Sequence, residues 1–256
     1  MRCILNRDNI TIIIPSADSY NDIFSMFVSF LKMNWKDCPY RIIYSNEVLD
    51  VKYEGIETIH SGIGSSWSTR ARNALKLVST EYVLLLCDDL FIVEPITQSE
   101  IESFLSFIIS NNMTYCRLLP LSDSELLYSK DYYLFNLGKK RIYGVNLMAG
   151  LFNKVFMETV INEDNLTGWQ IERMQNNIAR NAGEGFYEDK LLCNKNYLNL
   201  VHCIQKGKWI RQSKRIIEKK LGHKILTNRK TQSFFDENKS LIKGFISKKM
   251  NKSLHF

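Results

Sequence analysis

Glu81 to Pro95 reads EYVLLLCDDLFIVEP, an apolar run from Tyr82 to Leu86 that ends, after Cys87, in two adjacent carboxylates, Asp88 and Asp89. Apolar residues then resume at once. A strand covered on both faces is continuously hydrophobic, and open parallel sheets bind ligands just beyond the carboxyl ends of their strands. The two acids therefore fall where a ligand is expected. A buried Asp is costly without a cation or donors, and hard divalent ions such as Mg2+ and Mn2+ take carboxylate oxygen together with substrate phosphates. The pair is consistent with a metal-assisted diphosphate site, against the simpler alternative of a polar turn closing a core strand.

On the amino-terminal side, Ile10 to Ile14 forms a β-branched strand pattern ended by Pro15, Ser16, Ala17, Asp18 and Ser19. Ile23, Phe27, Phe30 and Leu31 follow at helical spacing. Arg41 to Tyr44 predicts a second strand, stopped by Ser45, Asn46 and Glu47, and Ile56 to Ile59 a third. A glycine-containing stretch, HSGIGSS, then opens a helix from about Ser66. Ala71, Leu75 and Val78 mark its core face, while Arg70 and Asn73 share another. A helix N-terminus favours anions and Arg adds a bidentate phosphate contact, although a helical Arg serves equally as a solvated surface charge.

On the carboxyl-terminal side, Ser99 and Glu102 suggest a capping box ahead of Ile101, Phe104, Leu105 and Ile108. Thr114 to Leu119 predicts a strand, and the close-set Tyr128, Tyr132, Tyr133 and Phe135 are for the most part packing residues, against the alternative of a stacking platform for a sugar ring. Tyr143 to Phe152 predicts strand-turn-strand, and Lys154 to Ile161 a short helix. In NEDNLTGWQIER, Trp169 and Glu172 stand three apart, on one helical face. A carboxylate beside an apolar ring has its pKa raised towards the range a general base needs; the alternative is a solvated Glu beside a core Trp. Leu198 to Val201 predicts a last strand that ends at His202, a structural residue or an imidazole ligand suited to Mn2+.

A chain of 256 residues with 45% hydrophobic content is long enough for one large domain or one domain with an appendage. It shows no leader pattern and no apolar run near the roughly 18 residues of a spanning helix, so a cytoplasmic protein is expected. The six cysteines form no CxxC pair, which favours reduced core thiols over zinc or disulfides. Charge is lopsided: residues 206–256 hold 15 Lys and Arg against 3 Asp and Glu, and the first 205 hold 19 against 24. Two basic amphipathic stripes lie in that tail, Ile210, Ile217 and Leu221, then Leu241, Ile242, Phe245 and Ile246. Such helices suit the inner face of an anionic membrane; RNA is the weaker alternative because no base-stacking module accompanies them.

TIIIPSADSY, YRIIYSNE, STRARNALKLVSTEYVLLLCDDLFI, NLMAGLF, GWQIE and HCIQKGKW, in this order over roughly residues 10 to 209, resemble the motifs of a family 2 nucleotide-sugar glycosyltransferase of bacterial polysaccharide type. The resemblance implies a GT-A fold, a Rossmann-like α/β/α sandwich with a mostly parallel central sheet, over residues 1–209, with residues 210–256 as a basic helical tail. It implies donor contacts from Pro15, Ser16, Asp18, Asn46, Arg70, Asp88 and Asp89, and Mn2+ or Mg2+ held by Asp89 with His202. It makes Glu172 the base of an inverting transfer, from a UDP-sugar in preference to other donors, to a glycan or lipid-linked hydroxyl. Cys87 stands where the family's Asp-X-Asp begins, and Ile171–Glu172 where a Glu-Asp pair is usual. A nucleotidyltransferase is a rival, but PSADSY lacks the Gly-rich basic phosphate loop of that class. A second rival is a non-catalytic sugar- or nucleic-acid-binding protein acting through the tail.

Overall fold

A computed structural model describes residues 9–120, 126–137 and 144–233. The second tail stripe, 241–246, and Tyr143 lie outside the described residues. The chain divides into two compact units, Met1–Leu200 and Val201–Phe256.

The first unit is α/β. Strands β1 (Ile10–Pro15), β2 (Arg41–Asn46), β3 (Ile56–His60) and β4 (Tyr82–Leu86) arise where the sequence is β-branched or continuously apolar; a short β5 (Leu90–Ile92) follows the two acids. Strands β6 (Tyr115–Arg117), β7 (Leu127–Ser129), β8 (Leu134–Asn136), β9 (Ala149–Asn153) and β10 (Lys190–Cys193) complete the set. The main sheet has the order β3-β2-β1-β4-β9-β6-β10-β8-β7. Neighbours among β1 to β4 pair in parallel, as do β6 and β10. Strand β9 runs against both β4 and β6, and β8 against β10 and β7, so the sheet is mostly parallel.

Helices α1 (Asn21–Asn34), α2 (Trp67–Lys76), α3 (Gln98–Ser110), α4 (Lys154–Val160) and α5 (Gly168–Asn181) cover it. Ile13, Ile43, Val83 and Leu85 pack with Ala71, Ala74 and Leu75 of α2, Met157 and Val160 of α4, and Ile171 of α5. Successive strand residues point to opposite faces. Tyr44, next to Ile43, accordingly stacks on Phe24 of α1, ring centroids 3.7 Å apart, and Phe27 and Phe30 meet Phe91 of β5. Both faces of β1 and β4 are thereby sealed. Full burial of each such Ile or Leu is worth about 1.5–3 kcal/mol.

Two local expectations change. Helix α3 begins at Gln98 behind Thr97, with no side-chain cap, so Ser99 caps nothing; Trp35 Nε1 instead donates to Gln98 Oε1 at 2.7 Å. The reciprocal capping box sits at α5, between Thr167 and Gln170. The strand-turn-strand expected over Tyr143–Phe152 is one strand, β9, preceded by an irregular stretch. Its Gly150 makes room for core rings: a Cβ there would stand 2.9 Å from Tyr115 Cε2 and 2.9 Å from Phe152 Cε2. Two of the tyrosines pack, Tyr132 against Phe104 and Phe107 and Tyr128 against Phe107, while Tyr133 is 55% exposed. Cys38, Cys87, Cys116, Cys193 and Cys203 are free thiols.

In the second unit, a hairpin of β11 (Ile204–Gln205) and β12 (Lys208–Trp209) turns at Lys206 and Gly207, both at positive φ. Helix α6 (Arg211–Leu221) buries Ile217 and ends in left-handed Gly222, φ 75°. Arg215, Lys219 and Lys220 are exposed. Among the described residues no helix is long and apolar enough to cross a membrane.

Candidate functional site

The carboxyl ends of β1, β2 and β4 meet the amino end of α2, whose first turn is fixed by Ser66 Oγ accepting from Thr69 N–H at 3.1 Å. Pro15 closes β1 and is buried. The buried Ser16 hydroxyl behind it donates to Asp88 Oδ2 and so ties the end of β1 to the turn after β4. Asp18 accepts from the backbone N–H groups of Glu47 and Val48, each at 3.1 Å, which binds the loop after β1 to that after β2. Between them stands Tyr44. Burial pushes its phenol above the usual range, Ser16 pulls it back, and the nearby Asp88 and Asp18 carboxylates push it further up.

Arg70 is the counter-cation. Its side chain is only 7% exposed, and Nη1 donates to Ser65 O and, at 3.4 Å, to Glu47 Oε1. Burial pulls the guanidinium below its ordinary value, while Glu47, Asp88 and Asp18 hold it charged. Among the described residues, the buried Nε of Arg70 and Oγ of Ser65 have no protein hydrogen-bond partner, so this corner retains unused polar capacity. Asn46 is fully buried and both ends of its amide are engaged: Nδ2 donates to Leu49 O of its own loop at 2.7 Å and Oδ1 meets Nδ1 of His60, at the end of β3, at 2.8 Å.

A second carboxylate approaches from α5. Glu172 is 8% exposed, and its Oε1 accepts from Asn146 Nδ2 at 2.9 Å and from Leu147 N–H at 2.8 Å. Burial raises its pKa, with the Leu147 N–H and the Arg117 guanidinium pulling it down. The sequence assigned that shift to the indole of Trp169, which is 67% exposed; desolvation of the inward-facing carboxylate is the cause.

Asn146 to Met148 act as a clip. Cys87 N–H donates to Met148 O at 3.0 Å and Cys87 Sγ to Leu147 O at 3.4 Å, while Leu147 N–H holds Glu172. Burial pushes the Cys87 thiol well above its usual pKa, and Asp89, Asp88 and Glu172 push it further. The three acids singled out in the sequence thus share one neighbourhood. His202 belongs to the second unit, where its carbonyl accepts from Ser213 Oγ at 2.6 Å.

Sequence reasoning missed Asn146, Ser65 and Arg117. The available signal for Asn146 was a single amide inside the apolar stretch YGVNLMAGLF. Among the described residues no three His, Cys, Asp or Glu side chains gather into a metal cage.

No family model and no curated protein matches the chain. Solved structures of similar form include residues 1–349 of TarS from S. aureus, at 12% identity and TM-score 0.46, covering 73% of this chain and 58% of that one. They also include a 2-C-methyl-D-erythritol 4-phosphate cytidylyltransferase from Thermus thermophilus, at 10% identity and TM-score 0.45, covering 77% and 94%. A third is the mannosyltransferase PcManGT from Pyrobaculum calidifontis in complex with GDP-Man and Mn2+, at 7% identity and TM-score 0.39, covering 60% and 47%. The chain spans between 40% and 58% of the length of the first three structures matched.

Proposed function

We propose that the chain is a glycosyltransferase that moves a sugar from a nucleoside diphosphate, UDP in preference to others, to a hydroxyl of a glycan or lipid-linked acceptor, with inversion. The observation that carries this reading is one neighbourhood holding a buried guanidinium with an unused N–H, two acids at the end of β4, and a buried carboxylate of raised pKa. A leaving diphosphate needs cationic and N–H partners, and a hydroxyl nucleophile needs a base; Arg70 and Glu172 supply those two roles.

Glu172 takes the acceptor's proton as its oxygen attacks the anomeric carbon, and the bond to the diphosphate breaks on the far side. Arg70 stabilises the departing charge. The loops after β1 and β2, joined through Asp18, form the wall against which the nucleoside lies. Adjacent carboxylates beside a diphosphate suit a hard divalent ion such as Mg2+ or Mn2+, which prefers carboxylate and phosphate oxygen. Asp88 and Asp89 would hold such an ion, and it would supply charge neutralisation on the leaving group. The loop after β1, PSADSY, carries neither Gly nor a basic residue, which disfavours a nucleotidyltransferase.

Isothermal titration tests the reading. UDP is expected to bind with Mn2+ and at least tenfold more weakly without it, and Asp89→Ala to remove the metal dependence, since the ion would offset the repulsion between the diphosphate and the strand-end acids. UDP binding that ignores Mn2+, or Asp89→Ala binding like wild type, refutes it.

The basic second unit is proposed to hold the enzyme against anionic lipid. Lys219→Ala with Lys220→Ala is expected to weaken binding to phosphatidylserine-rich vesicles by about thirtyfold, from about 1 kcal/mol per basic residue. Co-sedimentation measures this, and unchanged binding removes the assignment.

A further inference from the structure

The three-residue clip fixes more than the position of a loop. Asn146 is 6% exposed, its backbone N–H donates to Tyr115 Oη at 2.9 Å, and Met148 N–H donates to its Oδ1 at 3.0 Å. That last bond decides which way the amide faces. With Oδ1 turned to a backbone donor, Nδ2 is the atom that meets Glu172, and it reaches Oε1 at 2.9 Å. Leu147 N–H reaches the same oxygen at 2.8 Å. Among the described residues, Oε2 accepts no hydrogen bond.

We propose that Asn146 is a positioning residue for the base: by occupying Oε1 of Glu172 it leaves Oε2 as the oxygen that takes the acceptor's proton. The proposal rests on the reading of Glu172 as that base. A carboxylate with two donors on one oxygen has its ionised form stabilised and its orientation fixed, so the other oxygen meets the hydroxyl in one geometry. Among the described residues, the other charged or titratable groups that face Glu172 are Arg117 and Tyr115 on β6 and Cys87 at the end of β4. Of these, Arg117 favours the ionised carboxylate. Neither Tyr115 nor Cys87 hydrogen-bonds Glu172, so the side-chain donor at Oε1 is Asn146.

The test uses the full chain and two variants. Asn146→Asp keeps an oxygen for Met148 N–H but sets a second acid against Oε1, so the two groups titrate as a pair. Asn146→Ser removes the donor without adding charge. In 13C NMR of the carboxyl carbons, with the Glu172 resonance assigned by its loss in Glu172→Gln, the titration is expected to move up by about 1 pH unit or more in Asn146→Asp. The shift in Asn146→Ser goes the same way and is smaller. UDP release from UDP-glucose with Mn2+, water as acceptor, is expected to fall in Asn146→Asp, to lose most at low pH and to recover as pH rises through the shifted titration, with KM for the donor unchanged. A Glu172 titration unmoved in both variants overturns the proposal. A titration that moves while Glu172→Gln keeps its full rate overturns the base reading, and with it the catalytic meaning of a hydrogen bond that itself stands.

Discussion

Glu172→Gln is expected to fold normally and to lose about 10²- to 10⁴-fold of the transfer rate, the usual contribution of a general base. The two halves of that expectation come from different atoms. Gln retains an Oε1, so the donors Asn146 Nδ2 and Leu147 N–H keep their acceptor and the packing beneath α5 is undisturbed. What disappears is the capacity to take a proton. The substitution also removes a buried charge, and this gives the stability result a sign. Burial raises the folded-state pKa of Glu172 above its ordinary value, so the folded chain favours the protonated carboxyl. Wild type therefore keeps the full benefit of that group below the unfolded pKa and loses it as pH rises through the folded one. The variant has no such loss. Its unfolding midpoint relative to wild type is expected to improve with increasing pH across that window and to be at least equal at neutral pH. Thermal unfolding at pH 4 and pH 7, beside the rate of UDP release, checks both halves. Full activity in the variant removes Glu172 from the mechanism.

Arg70→Met should be the most destabilising single change at the strand ends, costing about 3–5 kcal/mol, the range for removing one partner of a buried ion pair. Methionine replaces the apolar stem, so lost packing is not the main cause. The cause is the carboxylates left behind. Asp88 is 5% exposed, and Glu47 and Asp18 lie in the same field. With the guanidinium gone, Ser65 O also loses its donor. Glu47, whose side chain is 24% exposed, recovers some solvation, which places the expected value towards the lower end. Arg70→Lys restores charge but not the planar fork, and should recover part of the loss. Urea unfolding at neutral pH measures it. A cost below about 1 kcal/mol, the size of a surface pair, shows that the strand-end acids do not depend on Arg70.

Much of this architecture was legible because it rests on short-range patterns. The apolar run before Asp88 requires a strand sealed on both faces, and β4 is one, with Tyr82 to Leu86 all buried. Ser66 ahead of a helical stripe marked the start of α2, and its cap is present. Two kinds of information were missing. Helix α3 begins one residue before Ser99, where the Thr97 carbonyl takes its first backbone bonds, and Trp35, far away in sequence, donates to its first residue Gln98, a contact no local pattern contains. Asn146 was invisible for a related reason: its role depends on β9 entering between β4 and β6, against both, which brings the preceding residues up to Cys87. The raised pKa of Glu172 was anticipated with the wrong cause, since periodicity puts Trp169 and Glu172 on adjacent positions without saying which turns inward.

The double attachment of Cys87 to the backbone of Leu147 and Met148 limits how this corner can be redesigned. A bulkier side chain at position 87 would push on the peptide whose N–H steadies Glu172. Under the proposed transfer, that disturbance slows the reaction. The stretch from Ser61 to Ser65 has no hydrogen bond to that peptide among the described residues; its Gly62 and Gly64 adopt left-handed φ that a side chain rarely takes, whereas Ile63 between them is 88% exposed. Under the proposed transfer, a library aimed at new donors belongs at position 63, with both glycines kept.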